Sequence, residues 1–233
     1  LALVSTAGDD PRSWVLYVVL VIVTAFVAGP DPRTDRAARS WWWPPPVAAV
    51  VLWTIVAIPS LIRLVFPHLL DVFVRVPDRV RDGQWWRVMT SMLVQDGGVA
   101  GTLGNLLVLG VVAIAAVRVW GWYRAVGLFV VGQLLWGLFT SFVEPSSGAG
   151  ASGATFALAA SVAGLWPVVG AARYLLVASG VTLVVGIGLV AWGDAHGVAV
   201  LIGMLLGAVV GTVLPPPDRP VPTGAAPRGD VGS

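Results

Sequence analysis

Long, uninterrupted apolar runs alternate along the chain with short polar connections, and these runs define the elements. Seven runs approach or exceed the length needed to cross about 30 Å of hydrocarbon at about 1.5 Å per helical residue. They cover residues 14–29, 46–66, 98–117, 122–143, 152–169, 174–192 and 195–214, the first being the shortest. Apolar residues fill these runs continuously instead of recurring at every second position, so the pattern predicts helices and argues against barrel strands. The expected fold class is an all-α polytopic membrane protein with one N-terminal transmembrane helix ahead of a six-helix core. Residues 1–45 form an N-terminal segment holding helix 14–29 and an Arg-containing linker, and residues 46–214 form the core domain. In residues 215–233 proline, glycine and charge replace the periodic pattern, which predicts a disordered cytoplasmic tail.

Composition supports the bilayer as solvent. Hydrophobic residues make up 57% of the 233 and charged residues 11%, against about 25% charged in a soluble domain. All 14 basic residues are arginine, and they sit between the apolar runs like topology signals, with no basic and aromatic patch for nucleic acid. Arg33, Arg36 and Arg39, then Arg118 and Arg124, then Arg173, then Arg219 and Arg228 fall on one face if all seven segments span. That face is therefore expected to be cytoplasmic. The loop 67–84 falls on the opposite face despite Arg75, Arg79 and Arg81, and reads as an interfacial segment whose arginines reach the headgroups. The alternative for helix 14–29 is a cleaved signal, which would send Arg33, Arg36 and Arg39 outside, against the same rule.

The chemistry available is narrow. There is no cysteine and there are two histidines, His68 and His196. Thiol chemistry and multi-imidazole metal sites are thereby excluded, and neither a metal nor a cofactor is expected. His68 stands at the outer end of the second apolar run and reads as interfacial. His196 opens the last run, and Ser152 opens the fifth. Two helices with short turns need about 40–45 residues, so a separation of 44 returns His196 to the leaflet that holds Ser152. Gly203 and Gly207 lie below His196 on one helix face, which lets a neighbouring backbone approach closely. Thr155, Ala159 and Ala163 are the matching small residues expected on the helix of Ser152. A helix start offers unpaired N–H groups to an oxyanion, and Gly150 and Gly153 leave room for substrate. Asn105, the sole asparagine, is a candidate second donor. Asp194 reads as an N-cap of the last helix, with a carboxylate orienting the imidazole as the alternative.

These residues resemble the rhomboid family of intramembrane serine proteases. Gly150-Ala151-Ser152-Gly153 matches the family's G-x-S-G motif, and Ala195-His196 followed by Gly203 and Gly207 resembles its A-H motif with a glycine ladder. The stretch 84–90, with Trp86 and Arg87, resembles the W-R segment of the first outer loop, and Asn105 falls where the family keeps an oxyanion asparagine. The resemblance runs over residues 46–214 and implies a bacterial-type member with one extra N-terminal helix. It implies Ser152 as nucleophile and His196 as base, with Asn105 and the Ser152 N–H forming the oxyanion hole. Phe156 would pack on the histidine, and Trp86 and Arg87 would anchor the loop. The implied partners are single-pass transmembrane substrates within the lipid bilayer. The implied location is the bacterial plasma membrane, with the active site on the extracytoplasmic side.

The sequence departs from the family pattern at three places. Gly101 stands where members usually carry a histidine four residues before the asparagine, Gln95-Asp96 replaces a further histidine, and Ala199 replaces a ladder glycine. The competing reading is a catalytically inactive rhomboid-like protein that binds transmembrane helices. A transporter or channel would need charged or broken helices at mid-membrane, and these runs carry almost no charge.

Overall fold

The computed structural model describes residues 11–29 and 41–216. The helices are α1 (Pro11–Ala28), α2 (Val47–Val65), the short α3 (Leu69–Phe73), α4 (Pro77–Arg81) and α5 (Trp86–Thr90), then α6 (Gly98–Trp120), α7 (Trp122–Leu138), α8 (Ser152–Leu165), α9 (Arg173–Ala191) and α10 (His196–Val213). A π-helical turn, Phe139–Val143, extends α7. Among the described residues there is no strand, and one isolated bridge pairs Arg75 with Gly148. Five helices are long and apolar enough to cross a membrane: α2, α6, α7 with its π turn, α9 and α10. The chain is an all-α polytopic membrane protein. The linker arginines Arg33, Arg36 and Arg39 and the tail from residue 217 lie outside the described residues.

Two apolar helices fall short of that length, α1 over Ser13–Ala28 and α8, and α8 is both the shorter and the more buried. The apolar run 152–169 predicts a helix to Val169, but α8 stops at Leu165 after 14 residues, about 21 Å at 1.5 Å per residue. Every residue of α8 except Ser152 is buried, with α1, α6, α7, α9 and α10 packed around it. Lipid tails are as apolar as leucine, so close backbone packing and hydrogen bonds have to hold such a helix in place. The sequence of α8 suits that demand, since most of its residues are small.

Its contact with α10 is backbone against backbone. A Cβ added at Gly203 would lie 2.1 Å from the Ala157 carbonyl oxygen, one at Gly207 2.0 Å from that of Ser161, and one at Gly164 2.0 Å from that of Met204. The expected α8 stripe of Thr155, Ala159 and Ala163 is therefore corrected: α10 meets Ala157, Ser161 and Gly164. Small residues occupy every face of a helix buried on all sides, so periodicity cannot identify the face that meets a given neighbour. Side chains tie the rest of the bundle together. Trp120 Nε1 donates to Ser161 Oγ at 3.1 Å, Ser179 Oγ to the Ala163 carbonyl at 2.7 Å, and Trp53 Nε1 to the Leu106 carbonyl at 2.7 Å.

The segment 67–84 folds back as α3 and α4 over one end of the bundle. Its arginines differ in burial. Arg75 is buried: its backbone exchanges two 3.1 Å hydrogen bonds with Gly148, and its Nη2 donates to the Ser146 carbonyl at 3.3 Å. Arg81 donates to the Ser141 carbonyl at 2.8 Å and pairs with Asp78 at 3.0 Å, while Arg79 reaches the Asp71 carbonyl at 3.4 Å. The reading as a headgroup anchor fails for Arg75, which is buried against protein, whereas Arg79 and Arg81 stay exposed beside the carbonyls they reach. Arg87 is also buried and donates to Gln84 Oε1 at 2.5 Å and to the carbonyls of Asp71 and Val74 at 3.1 and 2.8 Å. Burial holds both the Arg75 and the Arg87 guanidinium below the usual arginine range, that of Arg75 at about 10 despite the charge of Asp96. Trp86, grouped with Arg87 as a loop anchor, leaves its indole about half exposed; its neighbour Trp85 is the residue that stacks, on Phe142 at 5.5 Å.

Candidate active site

The site forms where the starts of α8 and α10 meet, at the end of the bundle covered by loops 67–84 and 144–151. Those loops are tied to each other and to the segment before α6. Asp96 N–H donates to the Ala149 carbonyl at 3.1 Å, Ala149 N–H to Asp96 Oδ2 at 2.8 Å, and Gly150 N–H to the Ser91 carbonyl at 2.9 Å. With the Arg75–Gly148 bridge, these bonds fix the approach of the chain to Ser152.

Ser152 Oγ lies 2.8 Å from His196 Nε2. Of all α8, only this serine retains exposure, whereas His196 is buried. The imidazole is held on several sides. Trp136 stacks on it at 5.6 Å and 22° and donates Nε1–H to the Ala195 carbonyl at 3.2 Å. Phe156 meets it edge-on at 5.3 Å. The Arg75 guanidinium lies 4.6 Å from the centre of the Trp136 ring, so the loop 67–84 is linked to the histidine through one indole.

Asp194 fixes the tautomer. Helix α9 ends in a Schellman arrangement: Gly193, with φ +80°, donates N–H to the Val190 carbonyl at 3.0 Å, and Asp194 N–H reaches the Leu189 carbonyl at 2.9 Å. A left-handed residue is required there, and glycine adopts it without strain. The turn delivers the Asp194 carboxylate to the start of α10, where Oδ1 accepts the His196 backbone N–H at 2.9 Å and lies 2.8 Å from His196 Nδ1. Both readings of Asp194 therefore hold together: its Oδ1 accepts an orphan N–H at the helix start, as a cap does, and the same oxygen meets the ring. Burial pushes the Asp194 carboxyl up, but hydrogen bonds and charge from His196 and a hydrogen bond from Tyr17 together outweigh it and hold it below the ordinary carboxylate range. A carboxylate oxygen accepts, so Nδ1–H faces Asp194, and in the neutral ring with that tautomer Nε2 is the acceptor toward the Ser152 hydroxyl.

The remaining groups surround Gly150. A Cβ there would stand 3.0 Å from Gln95 Oε1, 3.6 Å from Ser152 Oγ and 3.8 Å from Asn105 Nδ2, so the glycine keeps open the space these polar atoms share. Asn105 Nδ2 donates to Gln95 Oε1 at 2.8 Å, and Gln95 Nε2 donates to Ser60 Oγ at 3.3 Å. Gly153 has a different role from the one expected: a Cβ there would lie 2.4 Å from the Trp136 ring, so it makes room for the indole and not for substrate. At Gly101 a Cβ would meet nothing within 4 Å. His68 is exposed, with Phe66 6.2 Å away, and stands apart from the site.

Sequence reasoning missed Gln95 as a partner of Asn105, Trp136 as the ring under His196, and Tyr17 of α1. The Tyr17 hydroxyl donates to Asp194 Oδ2 and lies 3.0 Å from His196 Nδ1, and its ring stands 4.8 Å from Phe156. A tyrosine one turn into an apolar run was the available signal, but nothing in the sequence relates that run to residues 177 positions later.

A family model described as a Rhomboid domain matches residues 82–217, more than half of the chain. No curated protein and no solved structure matches it.

Proposed function

Because this chain belongs to the rhomboid family, whose members generally are intramembrane serine proteases, we propose that it is an intramembrane serine endopeptidase acting through a Ser152–His196 dyad. The observation that carries the reading is the 2.8 Å approach of Ser152 Oγ to His196 Nε2, with Nδ1 anchored on Asp194. In the proposed reaction His196 takes the Ser152 proton as Oγ attacks the scissile carbonyl of a transmembrane segment. The Ser152 N–H and Asn105 Nδ2 stabilise the oxyanion. The imidazolium then gives its proton to the leaving amine, and a water activated by the same nitrogen hydrolyses the acyl-serine and regenerates the hydroxyl. Peptide bonds within a helix are shielded, so substrates should carry small or helix-breaking residues near the cut.

The proposed location is a bacterial plasma membrane with the site facing away from the cytoplasm. The ends of α6 and α9 remote from Ser152 carry Arg118 and Arg173, and Arg124 follows in α7, as expected of a cytoplasmic face. On the Ser152 side Arg75 and Arg87 are buried against protein carbonyls, which lessens the conflict with that rule. The domain division proposed is an extra helix with its linker in residues 1–45, the peptidase domain in 46–214 and a tail in 215–233.

The test uses purified protein with a panel of single-pass substrates and a fluorophosphonate probe. Wild type should cleave and take the label at Ser152. Both activities should vanish in Ser152→Ala, and labelling should fall at least a hundredfold in His196→Ala. Equal cleavage by Ser152→Ala would overturn the reading. A wild type that neither cleaves nor reacts with the probe would favour the inactive, helix-binding alternative.

A further inference from the structure

Helix α1 lies outside the residues matched by the family model, yet one of its side chains enters the catalytic cluster. The Tyr17 hydroxyl donates to Asp194 Oδ2, while Asp194 uses Oδ1 for His196 Nδ1 at 2.8 Å. The same tyrosine oxygen stands 3.0 Å from His196 Nδ1, so the Nδ1 proton lies between two acceptors. Tyr17 is buried, its ring is 4.8 Å from Phe156 and 5.4 Å from His196, and α1 is seated against α6, α8 and α9. Contacts at both ends of α1 hold it there: Leu16 approaches Gly188 near one end, and Phe26 meets Tyr174 at 6.0 Å near the other.

We infer that Tyr17 is a positioning residue of the catalytic centre, and that α1 completes the site by orienting Asp194 and, through it, the His196 ring. This inference rests on the endopeptidase reading. The physical argument is one of geometry and freedom. Asp194 has two oxygens, and one of them already serves the His196 backbone N–H and the ring. A carboxylate held at one oxygen can turn about its last bond, and the hydroxyl on the second oxygen stops that rotation. The imidazole is thereby kept in the plane that aims Nε2 at Ser152, with the Nδ1 proton held between the Asp194 and Tyr17 oxygens. An orienting acid of this kind acts on the turnover step and not on substrate binding. The charged or titratable groups facing the ring are Asp194 and Tyr17, with Arg75 beyond Trp136.

The variant that isolates the hydroxyl is Tyr17→Phe, which keeps the ring contacts with Phe156 and His196. It is compared with wild type in the full chain for kcat and KM on a cleaved substrate, and for the Nδ1–H proton of 15N-labelled His196 by NMR. The two-histidine composition makes that signal assignable, and His68→Gln removes the other ring. The expected result is a kcat lower by about tenfold or more, a KM within about twofold, and a displaced or exchange-broadened Nδ1–H signal. A Tyr17→Phe protein that matches wild type in kcat overturns the inference while leaving the endopeptidase reading intact. So does one that loses kcat with an unchanged Nδ1–H signal, since that is the mark of a merely structural role. A wild type without cleavage or Ser152 labelling sinks the endopeptidase reading, and the Tyr17 assignment with it.

Discussion

Asn105 illustrates how one amide is made useful by its neighbours. Its Nδ2 gives one hydrogen to Gln95 Oε1 and lies 3.8 Å from where a Gly150 Cβ would stand, beside the space that glycine keeps open. Gln95 is itself fully buried and bonded to Ser60, so the amide is held in place, as the proposed oxyanion role requires. Preorganised donors are the ones that matter for an oxyanion, and losing one typically costs about 10²–10³-fold in kcat. Replacing Gln95 by alanine should therefore lower kcat by about tenfold to a hundredfold, less than Asn105→Ala. Adding Gln95→Ala to Asn105→Ala should cost little more, because Gln95 acts only through Asn105. A double-mutant cycle on kcat checks this; additive losses would show that Gln95 does not work through Asn105.

At the scale of elements, the α8–α10 contact is the joint that brings serine and histidine together. With carbonyl oxygens about van der Waals distance from a hydrogen and far too close for a methyl, Gly203 and Gly207 cannot be enlarged without separating the helices. Gly207→Ala should lower stability by about 1–3 kcal/mol or more, the usual cost of overpacking, seen as a reduced Tm in detergent. The built-in comparison is Gly180→Ala in α9, where a Cβ meets nothing within 4 Å and the change should be neutral or slightly stabilising. Equal effects at the two sites would contradict the close approach. The glycine stripe on α10 was legible because it lies on one helix face in register with His196. Its counterpart on α8 was not, because that helix is buried on every side and offers no polar face to orient the reading.

For the whole molecule, the absence of cysteine turns topology into a simple measurement. Ser147 is exposed in the loop next to Ser152, and Trp122 is exposed at the opposite end of the bundle. In intact bacterial cells an impermeant maleimide should label Ser147→Cys, and it should label Trp122→Cys only after permeabilisation. The reverse pattern would invert the proposed orientation. The fold also bears on the one loop that strained the charge rule: Arg75, like Arg87 after the loop, is buried against protein carbonyls as part of the packing, while Arg79 and Arg81 stay at the surface.

The sequence by itself determined the membrane class, the helical runs, the exclusion of thiol chemistry and the pairing of Ser152 with His196. Those follow from composition and from spacing within short stretches, where helix geometry converts residue number into position. Only the tertiary structure decided that Asp194 serves both the helix start and the imidazole, that Gly153 yields its space to Trp136, and that Arg75 turns inward. The same holds for Tyr17. Each of these depends on which distant segments become neighbours, and in an apolar bundle that choice is made by close packing of small residues, which leaves almost no periodic trace in the chain.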